Sequence, residues 1–210
     1  MIQTGLLIVL SGPSGAGKGT VCTALRPTMP DLNVSISATT RAPRSGEAEG
    51  VNYFFKSREQ FQEMVERDEL LEWAQVYGNF YGTPRKYVED FLAAGKDVLL
   101  EIDIQGALQV KRQFPNGVFI FLIPPSLEEL RSRIIGRGTE TEESFRLRFG
   151  AAAGELKYMD QYDYVVVNDR VDDACRRIRS IIEAERCSVP RNIDFYRHPF
   201  QNELKSETRN

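Results

Sequence analysis

The chain has 210 residues, enough to bury a full core in one α/β domain with insertions. Hydrophobic residues make up 41% and charged residues 27%, the mix of an ordinary soluble globular protein. The formal charge of −3 argues against a dedicated nucleic-acid binder, so any affinity for phosphate must come from local arginine clusters. No stretch approaches the ~18 apolar residues of a membrane span, and the N-terminus lacks the basic region of a signal peptide. Cys22, Cys175 and Cys187 are odd in number and in no metal pattern, as expected of free thiols in a reducing cytosol.

In chain order, the apolar run Leu6 to Leu10 predicts a buried strand, and it stops at a glycine-rich turn. That turn is Ser11-Gly12-Pro13-Ser14-Gly15-Ala16-Gly17-Lys18-Gly19-Thr20, with a helix opening at Gly17-Lys18. Successive N–H groups of such a turn point inward, and the helix adds its positive dipole end. The turn is therefore a phosphate cradle, with Lys18 as a mobile charge for the β/γ-phosphates of a nucleotide. The Walker A pattern asks for Ser or Thr after the lysine, and here that residue is Gly19, with Thr20 one later. Without that hydroxyl, Mg²⁺ is expected to be held by phosphate oxygens and water, while Thr20 meets an α- or β-phosphate oxygen.

From Ser35 to Ala94 the chain carries short strands of its own (Val34 to Ser37, Val51 to Phe55) and a helix begun by the capping box Ser57-Arg58-Glu59-Gln60. This is too much for a crossover and predicts an inserted subdomain. Unbroken apolar runs follow at Asp97 to Ile102, Val118 to Ile123 and Tyr164 to Val167. Such runs suit strands buried on both faces, hence a parallel sheet. Helical patterns alternate with them: Ala107, Leu108 and Val110; a capping box Ser126 to Glu129 opening a helix through Ile135; and Ala174, Ile178, Ile181 and Ile182 up to Arg186. The polar, glycine-flanked stretch Gly136 to Glu143 leads into a helix with Arg146 and Arg148 and predicts a mobile lid. The tail from Ser188 has two prolines, little apolar periodicity and the only histidine, His198, and is expected to be a loosely ordered extension.

Several stretches resemble the guanylate kinase family, in that family's order and spacing. They are Ser35-Ile36-Ser37-Ala38-Thr39-Thr40-Arg41-Ala42-Pro43-Arg44-Ser45-Gly46-Glu47, Leu71-Glu72-Trp73-Ala74-Gln75, Gly78-Asn79-Phe80-Tyr81-Gly82-Thr83, Ile102-Asp103-Ile104-Gln105-Gly106, Gly136-Arg137-Gly138 and Val167-Asn168-Asp169. The resemblance covers the chain up to about Arg186. It implies an α/β P-loop three-layer fold with a five-stranded parallel sheet core, an inserted GMP-binding subdomain and a helical lid. The expected divisions are one domain over 1–187 (core 1–34, 95–127 and 158–187; insertion 35–94; lid 128–157) and a tail over 188–210.

The resemblance also implies the reaction, Mg²⁺-dependent transfer of the γ-phosphoryl of ATP to GMP in the cytoplasm. A nucleoside monophosphate offers a dianionic oxygen near neutral pH, since its second pKa is ~6, so no general base is needed. The barrier is then mostly positioning and charge neutralisation. Arg41 and Arg44, with Tyr53 and Tyr81, resemble the family's clamp on the GMP phosphate, and paired guanidinium forks give bidentate geometry that lysine cannot. Glu72 is the expected specificity residue: guanine presents an N1–H and a 2-amino group side by side, a donor pair a carboxylate accepts, whereas adenine presents an acceptor there. By resemblance Ser37 and Thr83 bond O6, and Asp103 adds an acceptor near the 2-amino edge.

On the ATP side, the resemblance gives Gly12, Pro13, Ser14, Gly15, Ala16, Gly17, Lys18, Gly19 and Thr20 to the phosphates, and Arg133 and Asn168 to the adenine. Lys18, Arg137 and Arg148 are the expected stabilisers of the moving phosphoryl, with Arg146 facing elsewhere on its helix. Glu101 stands where many family members carry Asp, and with Glu47 opposite it is expected to hold Mg²⁺-bound water only. The expected partners are ATP and GMP, with neither nucleic acid nor membrane; association as a homo-oligomer stays open. Two alternatives remain at this stage: a guanylate-kinase-like binding module without catalysis, and a kinase of the same superfamily acting on a sugar phosphate. The retention of Lys18, Arg137 and Arg148 weighs against the first, and the base-reading set Ser37, Glu72 and Thr83 against the second.

Overall fold

The computed structural model describes residues 4–76, 78–135 and 142–207. In chain order the elements are β1 (Leu7–Ser11), α1 (Lys18–Leu25), β2 (Asn33–Val34), β3 (Ala38–Thr39), β4 (Phe54–Phe55), α2 (Arg58–Glu66), β5 (Leu70–Val76), β6 (Asn79–Pro84), α3 (Arg85–Ala93), β7 (Val98–Glu101), α4 (Ile104–Gln113), β8 (Val118–Ile123), α5 (Leu127–Ile135), α6 (Glu142–Glu155), β9 (Tyr164–Val167), α7 (Val171–Arg186) and α8 (Val189–Glu207).

The core is a five-stranded sheet in the order β2-β7-β1-β8-β9, with every pairing parallel. Four of its five strands are the unbroken apolar runs, the edge strand β2 being only Asn33–Val34, and strand periodicity explains why the runs are unbroken. Ile8 and Leu10 of β1 join Leu99, Ile120, Leu122 and Val166 in one buried cluster, which α1 and α7 cover. Leu7 and Val9 point the other way, into a second cluster with Val98, Leu100, Phe119 and residues of α3 and α4. Burying one aliphatic side chain fully is worth about 1.5–3 kcal/mol, so two dry faces account for the absence of polar alternation in β1, β7 and β8. In the edge strand β9 Val165 is 44% exposed, so the expected burial on both faces does not hold there.

A second sheet, β4-β3-β6-β5, forms the insertion. It packs Ala38, Phe61 and Leu70 in its own small core. The capping box of α2 is present in full: Ser57 accepts from the Gln60 N–H at 3.1 Å, and the Gln60 side chain accepts from the Ser57 N–H at 2.9 Å. The box before α5 closes on one side only. Ser126 accepts from the Glu129 N–H at 3.0 Å, while the Glu129 carboxylate takes Arg133 Nε at 2.7 Å instead.

Three expectations change. The stretch Val34 to Ser37 is not one strand: Val34 ends β2 in the core sheet, Ala38 begins β3 in the insertion, and Ser35 to Ser37 carry the chain between sheets. Of Val51 to Phe55 only Phe54–Phe55 is strand, because Gly50 (φ 70) and the residues after it form a turn. The tail is not a loose extension over its described part but the helix α8. Pro190 falls in the first turn of that helix, where an absent N–H costs no intrahelical bond. Arg191 anchors α8 by donating to the Glu185 carboxylate and the Asn116 carbonyl, and the buried Asn192 donates to the Arg186 carbonyl at 2.7 Å.

Candidate active site

The glycine-rich turn leaves the C-terminal end of β1, where ligands bind in open α/β sheets. Gly12 adopts φ 144, and a Cβ there would come within 2.1 Å of the Leu122 carbonyl of β8. Gly17, the N-cap of α1, adopts φ 92, and a Cβ would meet Asn168 Nδ2 at 2.5 Å. Both positions need glycine for backbone conformation and for room. Lys18 curls back over the turn, and its Nζ donates to the carbonyls of Gly12 at 2.6 Å and Pro13 at 3.3 Å. Burial pushes the ammonium below its usual range, against the pull of Glu101, Glu155 and Asp103. Thr20 is exposed in the first turn of α1.

On one side of the turn, Asn168 Nδ2 donates to the Ala16 carbonyl at 2.8 Å, which sets the amide's orientation. Its Oδ1 is buried and has no hydrogen-bond partner among the described residues. Arg133 closes the same corner, donating to the Asn168 carbonyl at 2.9 Å and to the Glu129 carboxylate at 2.7 Å. Helices α5 and α6 pack together through Leu130, Ile134 and Ala152. Arg148 of α6 reaches Ser14 Oγ at 3.5 Å, and Arg146 is exposed on the same helix. Arg137, with Gly136 and Gly138, lies outside the described residues.

The opposite wall belongs to the insertion. Glu72 of β5 is 4% exposed, and Thr83 Oγ1 of β6 donates to its Oε1 at 2.7 Å. Burial pushes the Glu72 carboxyl up to about 7; the Thr83 bond pulls the other way, the nearby Asp103 adds to the rise, and no cation offsets it. Asp103 caps α4, accepting from the Gly106 N–H at 2.9 Å. A Cβ at Gly106 would lie 2.2 Å from Glu72 Oε2, so α4 needs glycine there to let the carboxylate in. Ser37 lies in the connection just before β3, half-buried.

Arg41 sits 5.3 Å above the Tyr53 ring, and Tyr53 meets Tyr81 edge-on at 6.0 Å. The Glu47 carboxylate takes Arg41 NH2 at 2.8 Å and the Arg44 N–H at 2.8 Å. The hydrogen bonds Arg41 makes to Glu47 and Tyr81 raise its guanidinium further. Arg44 itself is exposed in the loop. Glu101 ends β7 beside the glycine turn; burial pushes its carboxyl up, while Lys18 and the Cys22 thiol pull it down. Lys18 lies in the field of Glu101 and Asp103, Asp103 in that of Glu72, and Tyr53 in that of Glu101 and Arg41, so the charged groups of the glycine turn, β7, the start of α4 and the insertion are close enough to interact.

Glu155 was not singled out from the sequence. It ends α6, and its carboxylate accepts from the Ser14 N–H at 3.3 Å, across 141 residues. No local pattern marks such a contact. Tyr162 was also missed: its ring stacks edge-on against Phe121 at 4.7 Å, and burial pushes its hydroxyl to about 12, so it stays neutral.

A glycine turn opening a helix, with a buried carboxylate held by the Thr83 hydroxyl in the insertion, is the arrangement expected of a kinase that reads guanine, and the comparisons with known proteins decide the matter. The family model for guanylate kinase matches residues 4–185. The chain belongs to the guanylate kinase family. Its activity is ATP:GMP phosphotransfer, and neither the binding-module nor the sugar-phosphate reading is favoured. It is 60% identical over 194 residues to the guanylate kinase of Halalkalibacterium halodurans, covering 92% of this chain and 95% of the relative. It is 62% identical to that of Caldanaerobacter subterraneus subsp. tengcongensis, covering 92% and 94%. The crystal structure of guanylate kinase from Anaplasma phagocytophilum superposes with a TM-score of 0.76 at 38% identity, covering 90% of each chain.

Proposed function

We propose that this guanylate kinase reads GMP in the insertion and holds ATP on the glycine turn, acting in the cytoplasm with Mg²⁺ carried on the ATP phosphates. The observation that carries the reading is the Glu72–Thr83 pair at 2.7 Å. Guanine's N1–H and 2-amino group donate to the Glu72 carboxylate, Thr83 and Ser37 serve O6, and Asp103 stands beside the 2-amino edge. Adenine would leave a buried carboxylate facing an acceptor, and a site of this kind rejects the wrong base by ~10⁴ or more.

Arg41, Tyr53 and Tyr81 hold the GMP phosphate, with Arg44 joining from the exposed loop as it closes. Glu47 aims Arg41, since both its oxygens lie within 3.0 Å of Arg41 NH2. On the other side, the buried Asn168 Oδ1 suits the 6-amino group of adenine, with the Arg133 guanidinium plane beside it. Lys18 exchanges its two carbonyl partners for β/γ-phosphate oxygens when ATP enters. Arg148, Arg137 and Lys18 then neutralise the moving phosphoryl. No base is required, and His198 lies exposed on α8.

Among the described residues no group of three or more His, Cys, Asp or Glu is placed to hold a metal ion. The hard oxygen of Glu101, beside the turn, fits a cation that arrives on phosphates and keeps much of its water. Held beside Glu101, Mg²⁺ would neutralise charge on the ATP phosphates. Among the described residues no helix is long and apolar enough to cross a membrane.

Calorimetric titration of GMP and of ATP into Glu72→Gln tests the reading. GMP affinity is expected to fall by at least tenfold, as loss of a buried charge-assisted pair implies, with ATP affinity unchanged. Equal loss of both would remove Glu72 from base reading.

A further inference from the structure

The Walker pattern places a hydroxyl at the residue after the lysine, and this chain has Gly19 there. A Cβ built on Gly19 would lie 3.3 Å from Glu101 Oε1 and 3.8 Å from Oε2. Together with Glu101 Cδ at 4.0 Å, these are the three nearest atoms to that position among the described residues outside its own helix turn. The carboxyl group of Glu101 therefore stands against the face of residue 19 from which a Ser or Thr hydroxyl would project.

The geometry has a clear origin. β7 and β1 run parallel with Glu101 opposite Leu10, so Glu101 leaves its strand level with the start of the glycine turn. Its side chain extends toward α1, where it meets the Cys22 thiol and the charges of Lys18 and Arg26. Aspartate at this place would be one methylene shorter and would stop short of residue 19. Serine at residue 19 would crowd the longer acid, since 3.3 Å is already tight for a Cβ.

We propose that Gly19 and Glu101 are a matched pair. In it, the Glu101 carboxylate delivers from β7 the oxygen that other phosphate-binding turns deliver from the residue after the lysine. Glu101 is then the positioning residue for the hydrated divalent cation on the ATP phosphates, and residue 19 is glycine to leave it room. The inference rests on the reading of residues 12–20 as the ATP-phosphate cradle.

The test is the affinity for ADP, by calorimetry, with and without Mg²⁺, in the wild type, Glu101→Asp, Gly19→Ser and the double variant. The ratio of the two affinities is the gain from the metal, and the metal-free affinity reports on the cradle alone. Glu101→Asp is expected to lose about tenfold or more of the gain, as loss of a metal-orienting group does. Its metal-free affinity stays within about twofold, since charge is conserved. Adding Gly19→Ser to Glu101→Asp is expected to restore the gain to within about threefold of wild type, a non-additive result diagnostic of a coupled pair. A full gain in Glu101→Asp, or a double variant no better than Glu101→Asp, overturns the proposal. Should the Gly19 variants fail to fold, Glu101→Gln decides: loss of the gain with metal-free binding kept supports the pair, and an intact gain refutes it. A wild type that fails to bind metal-free ADP overturns the cradle reading instead.

Discussion

Thr83 Oγ1 and Glu72 Oε1 lie 2.7 Å apart on facing residues of the antiparallel pair β5 and β6. The bond occupies one carboxylate oxygen and leaves Oε2 against Gly106, at a wall closed to water. A buried acid with one hydroxyl donor and no cation beside it among the described residues is costly to ionise.

That cost gives stability a pH dependence. Burial raises the Glu72 carboxyl from 4.5 to about 7, so between those values the folded chain keeps a proton the unfolded chain has lost. The contribution of Glu72 is fully present below 4.5, falls as pH rises through 7 and is flat above. A shift of this size corresponds to ~3 kcal/mol across the window. Urea unfolding at pH 5 and pH 8 should show this loss in the wild type and not in Glu72→Gln. Equal pH dependence in both proteins would contradict it.

Arg148 is expected to matter in the transition state more than in the ground state. Its guanidinium stands 3.5 Å from Ser14 Oγ, at the edge of the cradle. Arg148→Ala should lower kcat by about 10²-fold, as loss of one preorganised donor does, and raise either KM far less. Steady-state kinetics with both substrates varied separates the two, and an unchanged kcat would take Arg148 out of the clamp.

Asp97 carries structure and no chemistry. It is 6% exposed, accepts from the Leu6 N–H at 2.9 Å and from Arg186 NH2 at 2.6 Å, and lies just before β7, at the opposite end of the sheet from the glycine turn. Asp97→Ala leaves the buried Leu6 N–H without its acceptor, at a cost of about 1–3 kcal/mol, so it should lower the urea midpoint clearly. The folded fraction should keep wild-type KM values. A KM change for ATP or GMP would show that the strain reaches the site.

The core was legible because a strand buried on both faces cannot tolerate polar alternation, and Val118 to Ile123 is apolar at every position. The cradle was legible because glycine, lysine and helix onset occupy consecutive residues. What escaped was long-range. The Val-Ser-Ile-Ser run at 34–37 alternates like a half-buried strand, yet it bridges two sheets, and nothing local distinguishes the two. Helix α8 is tied down by Arg191 reaching Glu185 and the distant Asn116 carbonyl, contacts no window of sequence contains. Glu155 meets Ser14 only because α6 folds back over the turn. Glu101 and Gly19 were each visible as departures from a pattern, and only their 3.3 Å approach makes them one feature.

The most direct test is ADP formation from ATP and Mg²⁺ by the purified chain, with GMP, AMP, UMP or ribose 5-phosphate as acceptor. Turnover with GMP alone is the expected result, and it requires both the phosphoryl-transfer clamp and the guanine-reading carboxylate. Comparable turnover with another acceptor would contradict the role of Glu72, and GMP binding without turnover would contradict the account of catalysis.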